Sequence, residues 1–311
     1  MNNFIVCLNA VLPIFAMIAV GYAARCFGLL DRADVAKINT VFFRVFMPVM
    51  VFYNIYISDI SSAMNGSLLV YAVLCVFVEY LLSLGYALLF VKDRSRRGVV
   101  IQGLYRSNFV IIGLPIAESL AGGDLGPVAM LLAVVIPIFN ILAVITLAVF
   151  NGEKPVLKKV VLDILENPLI IGSAAGIAVL LAGLRLPAAL EKVVSQMSNA
   201  TSPILLFLLG AFFQFKGMRS HLRELAGVCI GRLVVFPTLF LGLAAAIGFR
   251  GVELVSLMGV FASSTAIASF TMAQQMGGDA ELAGDIVVST SALCSFTLFG
   301  WSLLFKVLGL I

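Results

Sequence analysis

The polar side chains best placed for chemistry lie in an apolar segment that contains Arg106, Ser107, Asn108 and Pro115. Pro115 has no backbone N–H and Gly113 loosens the chain two residues earlier, so this pair predicts a helix break within the segment. A half-helix beginning at Pro115 would present free N–H groups and the positive end of its dipole. Because such an end attracts anions, the segment predicts a carboxylate site, with a packing kink as the alternative.

A second unusual segment, FASSTAIASFTMA, carries the densest group of hydroxyls in any apolar run of the chain. Hydroxyls in such a position either satisfy backbone groups that a broken helix frees or bind polar atoms of a ligand. Four residues of the segment are therefore candidate binding residues: Ser263, Ser264, Thr265 and Ser269.

Ionisable residues within apolar runs are costly in a bilayer and need partners. Arg106 lies nine residues beyond Arg97, about 13 Å along a helix, which predicts a contact with a substrate carboxylate or, alternatively, a structural pair or a snorkelling cation. Glu79 is the candidate for proton coupling, unless it forms a static pair with Arg106 or Arg232. Asn140 needs hydrogen bonds, either as a wall of the site or as a contact between helices.

The composition places these residues in a membrane protein. Apolar residues make up 62% of the 311 positions and charged residues 12%, against about 25% charged residues in a typical soluble domain. A soluble enzyme, a nucleic-acid-binding protein and a disordered chain are therefore excluded. Because one span needs about 20 apolar residues, the chain suffices for about ten spans and no sizeable soluble domain.

Apolar runs between charged or turn-forming stretches predict ten transmembrane helices and hence an all-α polytopic fold. The first run has no basic residue before Arg25, which predicts a span rather than a cleaved signal peptide. The approximate bounds of the spans are 4–24, 38–57, 67–91, 98–120, 126–150, 163–183, 196–215, 222–248, 252–275 and 284–308.

The basic residues predict how the chain is oriented in the cell membrane. Thirteen of the 20 Lys and Arg residues fall in loops on one side, against four on the other. The positive-inside rule therefore places the basic loops in the cytoplasm and both termini outside it. The acidic segment around Asp279, Glu281 and Asp285 also falls on the cytoplasmic side, an exception that the rule tolerates because acidic residues count little.

The chain aligns with itself at an offset of 155 residues, without a gap. Five spans in each half mean that the halves enter the membrane from opposite sides, an inverted repeat typical of secondary transporters. The predicted units are a first repeat at 1–150, a short cytoplasmic linker at 151–162 and a second repeat at 163–311. The aligned anchors are Pro13 with Pro168, Gly21 with Gly176, Gly28 with Gly183, Pro48 with Pro203, Phe52 with Phe207, and the GGD tripeptides at 122–124 and 277–279.

Several motifs resemble the auxin efflux carrier family across essentially the whole chain. The most specific is Arg106-x-Asn108 followed by Ile112-Gly113-Leu114-Pro115, which resembles the fourth helix of that family. The further matches are Asn167-Pro168, Pro48 in VFMPVMVF, and Ala266-x-Ala268-Ser269-Phe270.

The resemblance implies ten helices in two inverted five-helix repeats, with broken helices four and nine crossing at Asn108–Pro115 and Ser263–Phe270. It also implies a homodimer in which a transport bundle moves against a scaffold. Bacterial members often have prolines where this chain has Ser264 and Thr265, so either the ninth helix is broken less sharply or hydroxyls replace the prolines. The long central loop of the plant exporters is absent.

We therefore predict a secondary transporter that moves a small organic anion across the lipid bilayer by alternating access. The family suggests a mono- or dicarboxylate such as malonate, malate or an auxin-like acid. The alternative is a channel or a membrane sensor built on the same fold.

An intramembrane enzyme is disfavoured, because the sequence has no HExxH, GxSxG or phosphate-loop motif and its single histidine, His221, is predicted to lie in a loop. The five cysteines are scattered with no CxxC spacing. We expect no cofactor, no metal and no nucleic-acid partner.

Overall fold

The computed structural model describes residues 2–57, 66–115, 120, 126–150, 161–162, 164–214 and 218–311, with side chains from residue 12 onward. The GGD tripeptide at 122–124 and most of the predicted linker lie outside these residues. Regular structure in the described part is helical, apart from one isolated β-bridge. Six of the helices are long and apolar enough to cross a membrane, so the chain is a polytopic helical membrane protein.

Eleven helices are used below, together with a short π-helical segment at Phe109–Gly113. Two of them, α2 and α8, contain a π-turn, at Phe42–Phe46 and Gly231–Val235. Their bounds are α1 Asn2–Cys26, α2 Arg32–Tyr56, α3 Gly66–Phe90, α4 Arg94–Tyr105, α5 Gly126–Phe150, α6 Pro168–Leu181, α7 Ala188–Phe212, α8 Arg219–Ile247, α9 Gly251–Ala262, α10 Ala268–Gln275 and α11 Ala280–Val307.

Helices α2 and α7 begin six and eight residues before their apolar runs, because the residues that precede a helix, rather than membrane depth, set its start. Helix α2 begins at Arg32 instead of 38, since Asp31 accepts a hydrogen bond from the Asp34 N–H and Asp34 accepts one from the Asp31 N–H. Helix α7 begins directly after Pro187 instead of at 196 and so includes charged residues that the apolar pattern left out.

Helices from the two halves of the chain pack against each other through glycines. Helix α1 packs on α7, and a methyl group at Gly21 would overlap the carbonyl of Phe207. Helix α2 packs on α6, and a methyl group at Gly176 would lie 3.1 Å from the carbonyl oxygen of Phe52. Residues 21 and 176, and likewise 52 and 207, are related by the offset of 155, so each contact is the exchanged copy of the other.

Gly172 and Gly176 of α6 have GxxxG spacing, which permits close packing between helices. A Cβ atom at Gly172 would lie 2.9 Å from the Cα of Pro48. The backbones of α2 and α6 thus approach as closely as small residues permit.

A second group of helices, α3 to α5 and α8 to α11, surrounds the points where α4 and α9 end. At the side of the predicted basic loops, the acidic segment that broke the charge pattern is paired with basic side chains from three other helices. Two of the contacts are ion pairs, Asp279–Arg96 at 3.1 Å and Glu281–Arg32 at 3.1 Å, and the third is a contact between Asp285 and His221 Nδ1 at 2.8 Å. His221 is therefore not a loop residue: it lies buried in a short turn at the start of α8.

We predict that Gly21→Ala lowers the free energy of unfolding by about 1–3 kcal/mol, because α1 and α7 must move apart to admit the methyl group. The measurement is the thermal unfolding midpoint of the purified protein in detergent. Gly85→Ala is the matched control, since a Cβ atom at Gly85 in α3 meets nothing within 4 Å. Equal midpoints for the two variants would contradict the packing described.

Candidate functional site

Helix α4 ends at Tyr105, and the chain then runs in a non-helical conformation through Arg106, Ser107 and Asn108. Helical structure resumes with the π-helical segment at Phe109–Gly113. The break leaves the carbonyl groups at the end of α4 without their intrahelical partners.

A second break separates α9 from α10 and meets the first. The chain is non-helical from Ser263, and α10 begins at Ala268. Ser107 and Thr265 form an antiparallel bridge, in which the Asn108 N–H donates to the Ser264 carbonyl at 2.8 Å and the Ala266 N–H donates to the Arg106 carbonyl at 3.0 Å. The two broken segments therefore supply partners for each other's backbone groups.

The position of the first break differs from the sequence-based prediction. Gly113 and Pro115 were expected to mark the break, but both residues are helical. The break lies instead at residues 106–108. Pairing with the other segment, rather than the missing N–H of Pro115, sets its position. Gly113 serves close packing instead, because a Cβ atom there would lie 2.9 Å from the carbonyl oxygen of Gly259.

The hydroxyls of the second segment satisfy backbone groups that the breaks expose. Thr265 Oγ1 donates to the Gly103 carbonyl at 2.7 Å, and the Thr265 N–H donates to Thr290 Oγ1 at 3.2 Å. Ser263 Oγ and Ser107 Oγ lie 2.6 Å apart. Of the two arrangements that the sequence left open for the ninth helix, the structure has a full break, with hydroxyls in the place of prolines.

A single guanidinium, that of Arg232 in α8, donates hydrogen bonds to carbonyls at the ends of both broken helices. Arg232 Nε donates to the Ser263 carbonyl at 2.9 Å, and Nη2 donates to the Val260 carbonyl at 2.8 Å. Nη1 lies 3.3 Å from the carbonyl oxygen of Tyr105 and 3.4 Å from that of Leu104. A cation beside two helix C-termini also complements the negative ends of their dipoles.

Glu79 in α3 is the counter-ion of this guanidinium. Its Oε1 lies 2.8 Å from Arg232 Nη1, and both side chains are fully buried. The structure therefore selects Arg232, and not Arg106, from the two partners that the sequence left open. Glu79 Oε2 has no hydrogen-bond partner within the described residues.

A cavity of about 70 Å³ lies in front of the crossing segments. Four of the candidate residues line it: Arg106, Ser107, Asn108 and Asn140. The other lining residues are Met47, Met50, Val51, Asn54, Phe109, Val110, Ile111, Ile136, Phe139, Ser202, Leu205, Ala266, Ile267 and Ala268. The wall is mainly apolar, with its polar groups concentrated at the break of α4.

The polar end of the cavity holds hydrogen-bond donors in excess of acceptors. Arg106 Nη2 donates to Asn140 Oδ1 at 2.6 Å, and Nη1 donates to Gln102 Oε1 at 3.2 Å. No carboxylate among the described residues lies within 4.0 Å of Arg106. The amide nitrogens of Asn108 and Asn140 have no partner in the same part of the chain. Such an arrangement is suited to an anion.

Six other candidates do not line the cavity. Gly113 and Pro115 lie further along the chain, and Ser263, Ser264 and Thr265 are fully buried at the break between α9 and α10. Ser269 faces a much smaller gap next to Gln102, and its hydroxyl has no partner within the described residues.

The sequence reasoning missed the walls that α2 and α7 contribute. Met47 and Met50 line the cavity on α2, and Ser202 and Leu205 line it on α7. Residues 47 and 202, and residues 50 and 205, are related by the offset of 155. These lining positions could therefore have been predicted from the repeat, because they flank its aligned residues Pro48 and Pro203. The described residues contain no group of three or more His, Cys, Asp or Glu that could hold a metal.

Comparison with known proteins identifies the family. A family model described as membrane transport protein matches residues 6–155 and 153–302. An uncharacterized transporter of Methanocaldococcus jannaschii is 24% identical over 96% of this chain and 99% of its own length. An uncharacterized transporter of Methanothermobacter thermautotrophicus is 22% identical over 94% of this chain and 97% of its own. The chain therefore belongs to the membrane transport protein family, that of the auxin efflux carriers its motifs resemble, and is a membrane transporter rather than an enzyme.

Proposed function

We propose that the protein is a secondary transporter of a small organic anion, which binds in the cavity at the crossing segments. The observation that carries this proposal is Arg106, a buried cation without a carboxylate partner among the described residues. It lies next to the unpartnered amide nitrogens of Asn108 and Asn140. A substrate carboxylate would neutralise the guanidinium and accept the free amide hydrogens, which offsets the cost of burying both.

The family suggests that the substrate is a carboxylic acid: malonate and malate carry two carboxylates, and an auxin-like acid carries one. The charge of the cavity favours one carboxylate over two, because Arg106 is the only cation among the described residues that line it. A second carboxylate would lie against apolar side chains such as Met50, Val51 and Ile136 without a counter-ion, which is costly. A monocarboxylate with an apolar body fits both ends of the cavity.

The proposed fold is ten transmembrane helices in two inverted five-helix repeats, with the broken fourth and ninth helices crossing. The exchanged contacts of Gly21 with Phe207 and of Gly176 with Phe52 support it, because a twofold-related pair of repeats makes each such contact twice. The basic loops support cytoplasmic linkers and both termini outside, in the cell membrane. The family resemblance supports a homodimer with a moving bundle.

The test of the proposed function is counterflow in liposomes that contain the purified protein. If the protein is a carrier, liposomes preloaded with the unlabelled monocarboxylate should take up the labelled acid with saturable kinetics and should accumulate it transiently. Conductance that does not saturate would support the channel alternative. Binding without flux would support the sensor.

We predict that Asn108→Ala weakens carboxylate binding about tenfold, because the variant loses a buried donor that has no other partner within the described residues. Expression and the unfolding midpoint should remain near those of the wild type. Asn199→Ala is the matched control, since Asn199 is an exposed residue of α7 outside the cavity. Equal affinities of the two variants would remove the crossing segments from the proposal.

The role of Glu79 is open to a direct test. Its pair with Arg232 favours a structural role, whereas its unpartnered Oε2 is the feature that a proton-coupling role would use. We predict that Glu79→Gln lowers the unfolding midpoint, because Arg232 loses its counter-ion, while the pH profile of transport keeps its shape. A profile that became flat would instead assign proton coupling to Glu79.

A further inference from the structure

A polar contact joins the first turns of α2 to the short helix α10. Asn39 is fully buried, and its Oδ1 accepts a hydrogen bond from Thr271 Oγ1 at 2.9 Å. Asn39 Nδ2 donates to Gln274 Oε1. One asparagine of α2 thus uses both ends of its amide to hold two residues of α10.

Two further contacts extend this layer towards the surface. Gln275 Nε2 donates to Thr40 Oγ1 at 3.1 Å. At the very start of α2, Arg32 pairs with Glu281 of α11 at 3.1 Å. All these residues of α2 lie at the end that carries the basic loops, so the layer lies on the proposed cytoplasmic side.

The cavity extends along α2 in the opposite direction. On this helix the lining runs from Met47 to Asn54. Met47 lies about two helical turns beyond Thr40, the last residue of α2 in the polar layer. The helices are therefore closed together on the proposed cytoplasmic side of the site, and the cavity lies on the other side of the closure.

Resting on the proposed function, we propose that the layer formed by Asn39, Thr40, Thr271, Gln274 and Gln275 is the cytoplasmic gate of the transporter. The anion reaches the cytoplasm only when α10 separates from α2. Hydrogen-bonding side chains suit this role, because water can satisfy them when they part, whereas an apolar contact would expose apolar surface.

The gate and the site belong to the same short helix. Ala268, the first residue of α10, lines the cavity, and Thr271, Gln274 and Gln275 follow within two turns. An anion that shifts the start of α10 therefore moves the gate residues with it. This connection explains how occupancy of the cavity is communicated to the cytoplasmic closure.

The test is a reversible lock across the gate. Thr40→Cys and Gln275→Cys are combined in a chain in which Cys7 and the exposed Cys26 are replaced by serine, while the buried Cys75, Cys229 and Cys294 remain. A short bifunctional thiosulfonate links the two introduced thiols, and a reductant releases them. The matched controls are the two single cysteine variants treated with the same reagent.

We expect the linked protein to lose counterflow by at least tenfold, to bind the carboxylate as before, and to recover transport on reduction. Linked protein that exchanges the anion at the unlinked rate would overturn the gate and leave the proposed function standing. Reduced protein that carries no anion would contradict the proposed function itself, and the gate with it.

A second measurement needs no cross-link. Thr271→Val keeps the shape of the side chain and removes the hydroxyl that holds Asn39. It should raise, by several fold, the rate at which a membrane-impermeant reagent labels the thiol introduced by Gln275→Cys from the cytoplasmic side. Thr238→Val is the control, because Thr238 is exposed and its hydroxyl donates to the Val234 carbonyl of its own helix. An equal labelling rate in the two variants would overturn the gate.

Discussion

The Arg232 guanidinium is the interaction on which the rest of the site depends. Helices that stop inside a bilayer leave carbonyl groups with no water to satisfy them, so such breaks survive only where the protein supplies donors. Arg232 reaches carbonyls at the ends of both α4 and α9, and Glu79 balances its charge. Because Arg232 satisfies the carbonyls at the ends of these two helices, the non-helical segments that follow them can form the antiparallel bridge. The same segments place Arg106 and Asn108 at the cavity.

Two buried arginines thus have opposite roles because their partners differ. Arg232 is surrounded by carbonyls and a carboxylate, so that each of its three side-chain nitrogens has an acceptor. Arg106 has side-chain amide and thioether acceptors but no carboxylate within the described part of the chain. A buried cation without a counter-ion is costly, and a transporter can recover that cost when a substrate anion binds. The same reasoning explains why occupancy should stabilise the fold.

Much of the fold was predictable because a bilayer imposes simple rules on composition and periodicity. The helix bounds broadly follow the apolar runs outside the two breaks, and the largest early starts lie where Asp31 or Pro187 precedes the helix. The break was misplaced at Gly113 and Pro115, because proline chemistry is visible in one sequence whereas pairing between distant segments is not. The hydroxyls of Ser263 and Thr265 were recognised, but their partners, which decide between backbone capping and ligand binding, depend on tertiary structure. The cavity walls on α2 and α7 could have been predicted from the offset of 155 residues, which relates Met47 to Ser202.

The central claim is that Arg106 receives a substrate carboxylate. The most direct measurement is the thermal unfolding midpoint of the purified protein against a panel of mono- and dicarboxylates, with and without sodium, for the wild type and for Arg106→Gln. We expect monocarboxylates with apolar bodies to raise the midpoint of the wild type and to leave that of the variant unchanged, since binding to the native state alone stabilises it. An equal rise in both proteins would contradict the claim.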